Sequence, residues 1–172
     1  MASIFKGMGQ LIKGQYVESA KTILGLIEGW KFFAQNEVVV GITEDSNAER
    51  DEGISNAQLL YLHEQGIPSH NIPPRPVLDP AIMQDEVQSK IESLMKDAAK
   101  QALLNGDREA AEKDFHKAGM VGRDACKKWI TDGNNLAPNA PSTIAKKGSS
   151  KPLVDTGSML NSITYAVRKK KR

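Results

Sequence analysis

Five prolines fall between positions 68 and 80, and they constrain this chain more than any other feature. Pro68, Pro73, Pro74, Pro76 and Pro80 each fix φ near −65° and remove a backbone donor. Each also pushes the preceding residue away from the helical region. The stretch "HNIPPRPVLDPAI" (70–82) must therefore be extended and stiff, with a single arginine, Arg75, at its centre. Whatever lies before and after it folds as separate pieces joined by a rigid connector.

After the connector the sequence turns helical. Asp79 is suited to cap a helix with Pro80 at its first position, where a missing N–H costs nothing. A helix is predicted over 81–104, with Met83, Val87, Ile91, Leu94, Ala98 and Ala102 on one apolar stripe. "NGD" (105–107) breaks it, and Asp107 can cap a second helix over 108–131. Its stripe, Ala111, Phe115, Ala118, Gly122, Ala125 and Trp129, is small in the middle, which lets another element approach closely. An αα-hairpin is the simplest arrangement of the two.

Before the connector, residues 10–35 are predicted helical, with Ile23, Ile27, Trp30 and Ala34 recurring on one face; Gly25 and Gly29 lower the propensity. "EVVVGI" (37–42) has the length and β-branched composition of a strand. Residues 43–55 are polar and acidic and read as a mobile loop. "NAQLLYLHEQG" (56–66) reads as a short helix stopped by Gly66. Beyond the helical pair, 132–153 is rich in Gly, Pro, Asn and Ser and reads as a long arm without structure of its own. "SITYAV" (162–167) alternates like a strand. Two strands, with an extended piece near 72–78 as a third, and more helix than sheet, place the fold in the α+β class. The expected form is a small antiparallel or mixed sheet packed against long helices, with a long extended arm. One domain is expected, organised as an N-terminal helical segment (1–36), a core (37–131), the arm (132–153) and a C-terminal strand with a basic tail (154–172).

Charge is unevenly placed. The formal net charge is +2, yet Arg168–Arg172 alone supplies five positive charges, so the rest of the chain is mildly acidic at −3. The basic cluster has three readings: contact with nucleic-acid phosphates, contact with an acidic patch on a partner or a neighbouring copy, or a solvated terminus. No aromatic interleaves with it, which disfavours stacking on single strands. Cys126 is the only cysteine, so neither an intrachain disulfide nor a thiolate metal cluster can form. No run of about 18 apolar residues suggests a membrane span. The N-terminus, broken by glycines and lysines, does not read as a signal peptide.

Known chemical motifs are met only in part. His63-Glu64 matches the start of a zinc-protease helix, but Ile67 stands where the second histidine is needed. His63, His70 and His116 share no ligand spacing. "DSNAERDEG" (45–53) is acidic like a calcium loop, but Arg50 occupies the position that needs glycine. No phosphate loop and no dinucleotide fingerprint is present, and Cys126 has no base at readable spacing. With no nucleophile–base pair, the chain is expected to carry no catalytic residues, no cofactor and no metal.

Taken in order, "VVVGI" (38–42), "LLYLHEQG" (59–66), "IPPRPVLDPAI" (72–82), the two helices and "NAPSTIAKKGSSKPLVDTGSMLNSITYAV" (139–167) resemble the tail-completion and neck family of tailed bacteriophages. The resemblance spans about residues 37–167. It departs from the commonest family form at Gln65 and Val77, where an aromatic is usual. It implies a small α+β virion protein without catalysis. Such subunits form rings, usually hexameric, in the neck between the portal-side connector and the tail tube, around the channel that DNA crosses. They join tail to head and assemble in the host cytoplasm.

On that view Glu64, Pro73, Pro74, Arg75 and Pro76 are expected at a subunit interface, because a stiff strand loses little entropy on docking. Arg75 and Glu64 are a candidate pair across it. Arg75 could equally lock the chain against its own sheet, and the segment could simply aim the following helix. Lys146, Lys147 and Lys151 of the arm, with Arg168, Lys169, Lys170, Lys171 and Arg172, are expected to face partner proteins or the DNA channel without sequence specificity. An accessory nucleic-acid-binding protein acting through the basic tail is the alternative function.

Overall fold

The computed structural model describes residues 2–48 and 53–170, with side chains from residue 16 onward. The loop position Arg50 and the tail residues Lys171 and Arg172 lie outside the described residues. Helix α1 (Ala2–Gln35) passes directly into strand β1 (Asn36–Ile42). At 1.5 Å per residue, α1 is about 50 Å long. Helix α2 (Asn56–Gln65) opens on a capping box, in which Ser55 Oγ accepts from the Gln58 N–H and Gln58 Oε1 accepts from the Ser55 N–H. Gly66, at φ +71°, ends it as expected.

Beyond the proline segment the expected 81–104 helix is two helices, α3 (Leu78–Ile82) and α4 (Asp85–Leu103). Gln84 is extended and its side-chain amide donates to the Ala81 carbonyl, one of the groups freed by the break. Asp85 and Glu86 then suit the positive end of α4. Met83, expected on the buried stripe, sits at this break and is exposed. Asp79 is inside the first turn of α3 rather than at its cap. Helix α5 (Arg108–Asp132) is capped by Asp107, whose carboxylate accepts from the Ala110 N–H at 2.9 Å, as expected.

The arm 132–153 is not featureless. It contains helix α6 (Pro141–Lys147), begun by Pro141 at the first position and closed by Gly148 at φ +67°. Helix α7 (Ser158–Ser162) leads into strand β2 (Ile163–Lys169), which pairs antiparallel with β1 from Asn36↔Lys169 to Ile42↔Ile163. Among the described residues the sheet has these two strands; the extended piece near 72–78 contributes only the bridge Ile67↔Ile72 outside it. The fold is α+β, a small antiparallel sheet packed against long helices.

The sheet lies on α5 because glycines clear the way. A Cβ at Gly119 would overlap the Tyr165 ring, and one at Gly122 would lie 2.8 Å from Val40 Cγ2. The core has two parts. One gathers Leu60, Val77, Ala81, Cys126, Ile130, Leu153 and Ile163 around the proline segment. The other stacks Phe32 against Phe115, centroids 5.2 Å apart, over Ala98, Ala102 and Ala111.

On helix α1 the face marked by apolar periodicity is not the face that packs on the body. Gly29 and Phe32 are buried, while Ile23, Ile27, Trp30 and Ala34 are all exposed. Gly29 sits so close to α4 that a Cβ would overlap the Ala102 carbonyl oxygen. The glycines that weaken the helix are thus its contact points.

Candidate functional site

The proline segment is fastened to its own chain at several points. At the end of α2, Glu64 turns its carboxylate toward α3, where one oxygen accepts from the Val77 and Leu78 N–H groups, both at 2.9 Å. This supplies from a distance the cap that Asp79 does not. The Arg75 N–H donates to the His63 carbonyl at 2.7 Å. Arg75 itself is only 7% exposed. Its guanidinium donates through Nε to the Ala137 carbonyl at 2.7 Å and through Nη2 to the Pro138 carbonyl at 2.8 Å. Desolvation lowers its pKa from the ordinary guanidinium value. The Trp129 indole N–H donates to the Pro76 carbonyl at 3.1 Å. Gly66 makes room for the turn, since a Cβ there would press on the Ile72 carbonyl and the Pro74 nitrogen.

Within the chain, Glu64 and Arg75 thus hold two different internal contacts, a cap on α3 and a clasp on the start of the arm. Arg75 locks the chain, but onto residues 137–138 rather than onto the sheet. Pro73, Pro74 and Pro76 remain exposed on the outside of the corner.

Between α2, the proline segment, α6 and the turn before α7 lies a cleft of about 710 Å³. His63, Arg75, Asn139, Thr143, Lys147 and Ser158 are among its walls. His63 is held neutral, its pKa lowered to about 4 by burial first and then by the charges of Arg75 and Lys147. Its Nδ1 is buried without a hydrogen-bond partner. Cys126 is buried, and desolvation, with a smaller push from the Glu64 charge, raises its thiol to about 12. Among the described residues no three His, Cys, Asp or Glu side chains converge as metal ligands. No helix among them is long and apolar enough to cross a membrane.

The basic residues are spread out. Lys146 and Lys147 end α6, with Lys147 half-buried at the cleft and Lys146 exposed. Lys151 is exposed, and its carbonyl accepts from the Asn139 side chain. Arg168 and Lys169 belong to β2 rather than to a free tail. Arg168 Nε donates to Glu37 across the strand pair at 3.0 Å. The Lys170 N–H donates to the Gln35 carbonyl at 2.7 Å.

Two apolar surfaces stand in the open. On α1, Tyr16, Val17, Ile23, Leu24, Ile27 and Trp30 are exposed, Trp30 at 60%. On α2, Tyr61 is 65% exposed beside a shallow hollow lined by Ile54, Ala57 and Leu62. Periodicity had marked Ile23, Ile27, Trp30 and Ala34 of α1 as one face. Comparison with protein-family models, with curated proteins and with solved structures yields no match for this chain.

Proposed function

We propose that the chain is a structural subunit of a tailed-phage virion, forming a ring, usually of six copies, in the neck where tail joins head around the DNA channel. The observation that carries this reading is the α1 stripe. Six large apolar side chains stand exposed on one helix, and contiguous apolar patches of that kind mark interaction sites. The ordered sequence pieces from 38 to 167 supply the family expectation. The internally clasped proline corner adds a rigid, outward-facing edge, which suits repeated docking. The reading is non-enzymatic: the single thiol is buried and protonated, and His63 is held neutral by burial and by the charges of Arg75 and Lys147. Neighbouring neck, connector and tail-tube proteins are the implied partners.

The test is imaging of particles made without this protein. Filled heads and separate tails are the expected result. Normally joined, infectious particles would overturn the proposal, as would absence of the chain from purified virions. Tight binding of duplex DNA by the full chain, falling steeply with salt and lost when 169–172 are deleted, would favour the nucleic-acid accessory instead.

A further inference from the structure

We propose that the cleft between α2, the proline segment and α6 binds a carboxylate ligand, held through Arg75 and Lys147 and seated against an apolar wall. Arg75 lines this cleft of about 710 Å³, yet it is only 7% exposed. Among the described residues the two partners of its guanidinium are carbonyls, which leave its positive charge uncancelled. Desolvation lowers its pKa, the sign of a cation short of counter-charge. A buried charge is most stable beside an opposite one. The geometry says which kind. A guanidinium has five N–H donors, and the Nε–Nη2 edge serves the Ala137 and Pro138 carbonyls. The Nη1–Nη2 edge is a two-pronged donor that matches the two oxygens of a carboxylate.

The other walls suit the same ligand. Lys147 is half-buried at the end of α6, and Thr143 stands one turn before it on the same helix face. The charges of Arg75 and Lys147 both act on His63, so positive potential reaches across the cleft. The remaining titratable walls are His70 and Asp155. Two full cations thus face one carboxylate. Leu59, Ile72, Leu153 and Met159 add apolar surface. The volume is far larger than a bare ion and falls in the range that holds a ligand of many atoms. That favours a carboxylate carried on an apolar body over inorganic phosphate. A free organic acid and an acidic side chain of a partner polypeptide offer this same chemistry. Either would offset Arg75 and Lys147 and let His63 take a proton at higher pH.

The test adds hexanoate, a blocked Leu-Glu-Leu peptide, their neutral counterparts hexanamide and Leu-Gln-Leu, and inorganic phosphate to the full-length protein. Calorimetry reads affinity, and NMR follows the His63 titration. At least one of the two carboxylates should bind one to one, about tenfold more tightly than its neutral counterpart and than phosphate. Tighter binding of hexanoate assigns the site to a free organic acid, tighter binding of the peptide to a partner polypeptide. The His63 midpoint should rise from about 4 as that ligand saturates the protein. Lys147→Gln should weaken binding about fivefold, whereas Lys146→Gln, at an exposed position, should leave it unchanged. Thermal unfolding checks both variants. Should Lys147→Gln misfold, Thr143→Glu, which sets a negative charge in the same wall, should abolish binding. Carboxylates that bind no better than their neutral counterparts, or no better than phosphate, would overturn the proposal. So would equal losses in Lys146→Gln and Lys147→Gln, full binding by Thr143→Glu, or a His63 midpoint that stays in place on binding. A ring forms with or without this site, so none of these results decides the ring reading.

Discussion

Arg75 shows how one side chain decides the state of a long segment. Its guanidinium bridges to two successive carbonyls, 62 and 63 residues away in the chain, and so fixes where the arm begins. Arg75→Ala removes two charge-assisted bonds in a nearly closed setting, and urea unfolding should show a loss of about 2–3 kcal/mol. Proteolysis within 137–151 should speed up as well. Arg75→Lys should recover little, because one ammonium cannot reproduce a two-pronged contact. Unchanged stability with lost assembly would instead place Arg75 between subunits. His63 adds a pH dependence. Its pKa of about 4 in the folded chain lies below the ordinary 6.5, so between those values the unfolded chain binds the extra proton. Stability should therefore be intact above about pH 6.5 and fall as the pH drops toward 4. Because His63 is only partly buried, the loss from this residue should be about 1–2 kcal/mol. Urea melts at pH 7 and 4.5 should show it, and His63→Gln should flatten the difference.

At the scale of elements, α1 joins the body through its glycines. Gly29→Ala would gain about 1 kcal/mol of helix propensity. It would also drive a methyl group into the Ala102 backbone, and thermal unfolding should register a net loss of about 1–2 kcal/mol. Gly25→Ala should be milder, since its nearest neighbour, the Gly106 carbonyl, would be 3.2 Å from the new Cβ. This contact explains what the sequence could and could not disclose. The stripes of α4 and α5, the Asp107 cap and both strands were legible, because each is a local pattern whose apolar side is also its packed side. On α1 periodicity located an apolar face, but not what covers it. The face of small residues, Gly25 and Gly29 with Phe32, is the one that meets α4. Helix α6 was missed inside a segment of turn-forming composition, although Pro141 and Gly148 stood at the two ends where they favour a helix. The Glu64 cap on α3 and the Arg75 clasp join positions 13 to 63 residues apart, and no local pattern announces such pairings.

For the molecule as a whole, an early strand and a late one are tied together. β1 follows α1 directly and pairs with the closing strand β2, and both rest on α5 through Gly119 and Gly122. The proline corner with its clasped arm forms the other side of the core. This body places α1 so that its most apolar stripe points outward, and places the hollow of α2 on a separate element. Burying the α1 stripe would lower the free energy, and the proposed ring does so between identical copies. Native mass spectrometry of the full-length protein over rising concentration tests that idea most directly. A closed ring predicts one discrete assembly at an integer multiple of 18.8 kDa, six copies being the expected number. A mass of 18.8 kDa at every concentration, or an open ladder of ever larger species, would contradict it.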